Sequence, residues 1–273
     1  MTTRPEKALR VTVREYSRLG TLLRGSAIFA MVDSRRAMAI DNNKKHLRLL
    51  HMSDVHIGTD IYTGEALSGL DAALALADSA HADAILVAGD LFDHHRVPAE
   101  TVDRVMNALA GSGRPVVVLP GNHDTVLTKG LWSGEAPDGV SILMEAEGET
   151  LVLDELGLAV WGRPVYDHNP EFHPLEGMPP RPQDGWYVSM AHGIVMDFEE
   201  ATWRSSPIFL DEIAEAPCDY IALGHVHVYR DVSQNGVPAF YSGAPSGALK
   251  RGVALVEMDP EAGVSVTPLE ITA

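Results

Sequence analysis

A single cysteine, Cys218, cannot form an intrachain disulfide. That removes the cross-linked framework on which small secreted domains rely and suits a reducing cytoplasm. Cys218 sits in an apolar run, CDYIALG, and reads as buried core filler. Long apolar runs are also missing: no stretch approaches the roughly 18 uninterrupted residues of a membrane span, so a soluble chain without a membrane partner is expected. The longest apolar run near the start, AIFAMV at 27–32, is shorter than the ~7–15 residues of a signal-peptide core, and the expected location is cytoplasmic.

Basic residues are scarce over most of the chain. Residues 1–48 carry 11 of the 21 Lys and Arg but only Glu6, Glu15, Asp33 and Asp41 as acids, so residues 49–273 hold 10 basic and 34 acidic side chains, a formal charge of -24. A polyanion such as DNA meets repulsion over such a surface, because non-specific affinity for nucleic acid comes mainly from Lys and Arg neutralising phosphates. A locally positive channel remains compatible with this balance.

What is present is an ordinary globular composition, 45% apolar and 22% charged, in a length that suits one α/β core. Residues 1–45 lack a clean strand or helix period. They are expected to be a poorly ordered basic extension, the other readings being a peripheral helix using Val11, Leu19, Leu22 and Leu23, or upstream sequence with Met31, Met38 or Met52 as the true start. Residues 46–273 then form the functional domain.

From His46 onward, short apolar runs ending in polar clusters alternate with stretches of helical spacing. The pattern predicts strands over 47–54, 83–90 and 115–124. It predicts helices over 65–80, with apolar positions at 67, 70, 74 and 77, and over 97–113, with Pro98 in the first turn and Gly111 just past the end. Continuous apolar strands imply a sheet covered on both faces. After residue 140 short strand candidates dominate, interrupted by a long Pro-rich loop at 166–185. The expected fold is α/β: a four-layer α/β/β/α sandwich of two mixed sheets flanked by helices.

Polar clusters fall at the ends of five predicted strands: Asp54-x-His56, Gly89-Asp90, Gly121-Asn122-His123-Asp124, His192-Gly193 and Gly224-His225-x-His227. Carboxyl ends of strands are where open α/β sheets bind ligands, so the five can converge. Their Asp, Asn and His side chains suit manganese, iron or zinc, and the lack of thiolates argues against a structural zinc site. Seven candidate ligands exceed one tetrahedral ion. A shared carboxylate would let them hold two ions about 3.5–4 Å apart, the spacing used in phosphoryl chemistry. Residues two apart on an extended segment face one side, so Asp54 and His56, and likewise His225 and His227, can each serve one cluster. Glycines beside Asp90, Asn122, His192 and His225 permit close backbone approach.

The ordered blocks D-x-H, G-D-x-x-D, G-N-H-D, H-G and G-H-x-H resemble the calcineurin-like metallophosphoesterase family over roughly residues 47–245. GDLFD, PGNHD and DYIALGHVH before a Tyr-Ser-Gly-Ala-Pro turn are most similar to its SbcD/Mre11-like DNA-repair exonuclease branch, catalytic domain only, since the chain has little room for the capping and ATPase-binding segments of those nucleases. The resemblance implies two divalent ions, manganese first with iron or zinc as alternatives. Asp54, His56 and His227 would hold one, Asn122, His192 and His225 the other, and Asp90 would bridge them. It implies that His123 protonates the leaving oxygen or steadies the scissile phosphate, that Asp124 orients it, and that a hydroxide between the metals is the nucleophile, without a phosphoenzyme.

Other residues stay open between a role and none. Asp93 reads as a turn residue or one that orients groups beside the metals. His94 and His95 either contact substrate or are solvated, Arg163 either grips a phosphate or makes a surface ion pair, and His168 and His173 lie in the Pro-rich loop. Trp132, Trp186 and Trp203 read as core or rim aromatics as readily as base-stacking ones. Three functions follow in order: a phosphodiesterase, nuclease-like, on nucleic acid or nucleotide; a phosphomonoesterase on a small or protein-borne phosphate; and a non-catalytic scaffold.

Overall fold

The computed structural model describes residues 44–59, 63–127, 130–197, 205–247 and 250–272. The N-terminal extension through residue 43, and Trp203, lie outside the described residues. Lys44 and Lys45, assigned to that extension by sequence, belong to the folded body: Lys44 Nζ bonds Asp219 Oδ1 at 2.9 Å and lies over the Trp186 ring, whose indole N–H donates to the Lys45 carbonyl.

The first sheet is built from β1 (Leu47–Met52), β2 (Ala84–Ala88), β3 (Val116–Leu119) and β4 (Val140–Ile142), all parallel. The second contains β5 (Glu149–Leu153), β6 (Leu158–Gly162) and β7 (Trp186–His192). Next along the chain comes a separate two-stranded pair, β8 (Ile194–Met196) and β9 (Pro207–Phe209). The second sheet is completed by β10 (Tyr220–Gly224), β11 (Arg230–Asp231) and β12 (Ala239–Tyr241), and the chain returns to the first through β13 (Gly252–Asp259) and β14 (Gly263–Glu270). Strand orders are β14-β13-β1-β2-β3-β4 and β11-β12-β10-β7-β6-β5, and both sheets are mixed.

The unbroken apolar runs are explained by two burying faces. Leu50, Met52, Ile85, Val87, Val116 and Val118 pack under α1 (Thr63–Ser79) and α2 (Ala99–Ala110), while Leu49, Leu86, Ala88, Val117 and Leu119 meet Val160, Val188, Met190, Tyr220 and Ala222 across the sandwich. Each fully buried large side chain contributes about 1.5–3 kcal/mol. Edge strand β14 alternates instead between half-buried and exposed residues and tolerates Pro268, as an edge can.

Two helix details differ from expectation. The buried stripe of α1 runs through Ala66, Leu70, Ala73 and Ala77, rotated from the 67/70/74/77 reading, because small residues let the helix lie close; a Cβ on Gly69 would be 2.4 Å from the Pro245 carbonyl oxygen. Pro98 occupies the N-cap of α2 rather than its first turn, while Gly111 follows the last helical residue as expected, in right-handed geometry (φ -62°), and Gly113 (φ 69°) turns the chain. On the outer face of the second sheet, Trp161, Tyr187, Ile221 and Leu223 are covered by Leu175, Ile208 and Ile213. Among the described residues this fourth layer holds a short helix, α3 (Leu210–Glu215), not foreseen from sequence, and segment 163–185 adds Leu175 and Met178 to the cover.

Candidate active site

All five polar clusters lie at carboxyl ends of β1, β2, β3, β7 and β10, on one rim where the two sheets face each other. Beyond their ends β1 and β2 stay zipped: Asp54 N donates to Gly89 O, His56 N to Asp90 O, and Ile57 N to Leu91 O, at 2.9–3.0 Å. This ties Asp54 and His56 to Asp90 by backbone.

The expected extended D-x-H segment is not extended. Asp54 (φ 56°), His56 (φ 54°), Asp90 (φ 52°) and His225 (φ 99°) all occupy the left-handed region, uncommon for such residues and costing of order 1–3 kcal/mol each. Asp54 and His56 therefore converge through two reversals around the buried Val55, not by strand alternation. His225 and His227, by contrast, divide between two groups of ligands. His227 Nε2 lies 3.5 Å from Asp54 Oδ1 and 3.2 Å from His56 Nε2, whereas His225 Nδ1 is 3.0 Å from Asn122 Oδ1.

Two half-sites result. Asp54, His56 and His227 present ligand atoms within 4.8 Å of one another, as do Asp54, Asp90 and His192. Asn122 Oδ1 is 3.0 Å from both His192 Nε2 and His225 Nδ1. Asp90 Oδ2 stands between the halves, 3.9 Å from His56 Nε2 and 3.3 Å from His192 Nε2. Asp54 and Asp90 are almost wholly buried (0% and 2% exposed), so their charges require a partner. Gly89 permits this packing: it has φ 91°, and a Cβ there would be 2.0 Å from His192 Nδ1.

The hydrogen-bond pattern asks for cations. His192 Nδ1 must donate to the carbonyl of Ala88, which can only accept, so the neutral ring turns a lone pair on Nε2 toward two further acceptors, Asp90 Oδ2 and Asn122 Oδ1. His56 Nδ1 is bonded to Asp93 Oδ1 at 2.9 Å, leaving Nε2 to face the cluster. A histidine held by a carboxylate or carbonyl on one nitrogen and free on the other is the arrangement of a metal ligand. The donor set therefore fits divalent ions. Burial lowers the pKa of His56, and burial with His192 lowers that of His225 to about 3, favouring the neutral rings that ligation needs. For His192 burial is outweighed by the Asp90 charge and the pKa is raised; for Asp90 burial is outweighed by His192 and it is lowered.

His123 stands beside the first half, its ring 4.7 Å from that of His56 and its side chain 43% exposed. Its Nδ1 donates to the Asp93 carbonyl at 2.9 Å and lies 3.4 Å from Asp93 Oδ1. Asp93, given only a turn or supporting role by sequence, thus contacts both His56 and His123; its signal was the second Asp of G-D-x-x-D. None of the described contacts joins the Asp124 carboxylate to the His123 ring. That fully buried carboxylate accepts the Gly121 and Phe92 backbone N–H groups at 2.7 and 3.0 Å, bracing the loops, and burial with the Asp90 charge raises its pKa to about 7.

The three residues expected to contact substrate have other neighbours in the structure. Arg163 is committed to the Ala146 and His173 carbonyls and Glu176, with Phe172 under its guanidinium, so it clamps the Pro-rich segment. His94 accepts the Arg96 N–H and abuts Gly58, while His95 lines a cavity of about 500 Å³ with Trp132 and Met106; none of the described contacts joins either to the ligand cluster. Trp132 packs on Phe92 and donates to the Asp124 carbonyl, and Trp186 is a buried core residue.

Two mixed sheets meeting at a carboxylate-imidazole rim provide the donor set that metal-assisted phosphoester chemistry uses. The family model described as calcineurin-like phosphoesterase matches residues 47–229, and the chain belongs to that family, whose members depend on two metal ions. The SbcD subunit of the SbcCD nuclease of Escherichia coli K12 is 42% identical over 89 residues, 30% of this chain and 22% of that protein. The DNA double-strand break repair protein Mre11 of Methanopyrus kandleri is 26% identical over 270 aligned residues, covering 78% of this chain and 54% of that one. The chain thus matches about half, or less, of these relatives' lengths. The crystal structure of TT1561 from Thermus thermophilus shares the fold, with a TM-score of 0.52, 13% identity, and coverage of 82% of this chain and 99% of that one. No described helix is long and apolar enough to cross a membrane.

Proposed function

We propose that this protein is a phosphodiesterase with a nuclease-like site. The observation that carries the reading is the pair of half-sites sharing Asp90 Oδ2, with the exposed imidazole of His123 at their edge. Asp54, His56 and His227 would hold one ion, Asn122, His192 and His225 the other, with Asp90 between; manganese is the first metal to test. When bound, the ions supply charge neutralisation at the phosphate and lower the pKa of the attacking water. His123 keeps Nδ1–H on the Asp93 carbonyl, so Nε2 is the atom that delivers a proton to the leaving oxygen, and the Asp93 carboxylate steadies the cationic ring. The SbcD and Mre11 likenesses support a diester substrate, nucleic acid or nucleotide.

The formal charge of -24 over residues 49–273 favours a second reading, a phosphomonoesterase on a small or protein-borne phosphate. Mn2+-dependent hydrolysis of bis-p-nitrophenyl phosphate against p-nitrophenyl phosphate separates the two. Diester preference lost in His123→Ala and in chelator supports the first, monoester preference replaces it with the second, and no turnover with any of several metals leaves a scaffold.

A further inference from the structure

Beyond the ligands and His123, one more imidazole stands over the rim. His168 lies on the Pro-rich segment, and its ring is 5.9 Å from that of His225. Although exposed, it is held. Nδ1 is 2.9 Å from Ser206 Oγ, and the neighbouring Asn169 carbonyl accepts the Ser206 N–H at 3.0 Å. Ser206 is itself buried, in the left-handed region (φ 52°), with its carbonyl accepting the Ile194 N–H at 3.0 Å. Gly193 makes room for this: a Cβ there would be 2.2 Å from the Ser206 carbonyl oxygen. The residue after ligand His192 thus seats the backbone that seats His168. An imidazole ordered in advance loses less entropy on contacting substrate than a free loop side chain does.

We propose that His168 is a second substrate-contact residue, one that binds the ester arm of a phosphodiester that is not cleaved and so selects diesters over monoesters. The two imidazoles outside the ligand set flank different halves, His123 beside His56 and His168 beside His225. A phosphorus held between the halves with its leaving arm toward His123 sends its spared arm toward His168. In the tautomer in which the Ser206 hydroxyl donates to Nδ1, the ring proton resides on Nε2 and offers a donor to an oxygen of that arm. A monoester has no such arm. Ser206 is then a positioning residue.

This role rests on the phosphodiesterase reading, which wild-type turnover of bis-p-nitrophenyl phosphate tests first. In His168→Ala, kcat/KM for that diester should fall about three- to tenfold, the cost of one hydrogen bond to an uncharged oxygen, while p-nitrophenyl phosphate changes less than about twofold and metal content is retained. His168→Gln, which keeps a donor, should recover part of the loss, and Ser206→Ala should lose part of it. Calorimetric binding of the diester to metal-loaded His123→Ala should weaken by the same factor when His168→Ala is added. Equal losses on both esters, or unchanged diester turnover and binding, would overturn the proposal. A wild-type enzyme inert toward the diester is a separate failure, one that removes the phosphodiesterase reading and this role with it.

Discussion

His192 donates Nδ1–H to the carbonyl of Ala88 across 2.9 Å, and that bond decides what its other nitrogen can do. Nε2 faces Asp90 Oδ2 and Asn122 Oδ1, both acceptors, an arrangement satisfied either by a proton or, when metal binds, by the ion. Manganese binding at neutral pH should therefore release protons. Calorimetry in buffers of different ionisation enthalpy measures the number, and a value of zero would contradict this account of the site.

Asp93 joins His56 and His123 through one residue. Asp93→Ala should reduce metal affinity or turnover by about 10–100-fold, the usual cost of losing such an outer partner. Metal content by mass spectrometry together with kcat resolves which half of the role dominates. Wild-type values in both would return Asp93 to a turn residue.

Asp124 accepts two backbone N–H groups in a fully buried position. Asp124→Ala leaves both donors without their acceptor, at about 1–3 kcal/mol each, and should lower Tm by several degrees. The folded fraction should keep a pH-rate profile like that of the wild type, because the His123 ring is held by Asp93. A shifted profile would restore the orienting role to Asp124.

Arg163→Ala should act on stability more than chemistry. It removes the clamp on the Ala146 and His173 carbonyls, so proteolysis within 163–185 should accelerate. A specific loss of diester affinity with no change in proteolysis would instead place the guanidinium on substrate.

His51, buried between the sheets with Nδ1 2.8 Å from the Tyr220 hydroxyl, has its pKa lowered to about 3 by burial, against 6.5 when unfolded. Its folded pKa is depressed, so the unfolded chain binds the extra proton first, and the native state loses stability as pH falls from about 6.5 toward 3, by up to ~1.4 kcal/mol per pH unit. In chelator-treated protein, denaturant titrations should show His51→Leu losing stability less steeply than wild type across that window. Parallel slopes would remove His51 as a source of acid sensitivity.

The strand-helix order, the two-sided burial of LRLLHM, AILVA and VVVL, and the gathering of five clusters at strand ends were legible because each depends on local periodicity and on the short reach from a strand to its own loop. The family likeness was legible for the same reason, since its motifs are contiguous. Short α3 and the β8-β9 pair were not, being too brief to show a period. Tertiary structure alone decided the rest. Asp54 and His56 meet through left-handed residues that only the zipped β1 and β2 loops hold in place, and His225 and His227 divide between two half-sites because their partners come from β1, β3 and β7. His123 takes Asp93 rather than its neighbour Asp124 since backbone N–H groups had already claimed that carboxylate, and Arg163 is drawn to a loop carbonyl ten residues on. Partner choice among buried polar groups is set by which acceptors the folded backbone leaves unsatisfied, a quantity that no local pattern carries.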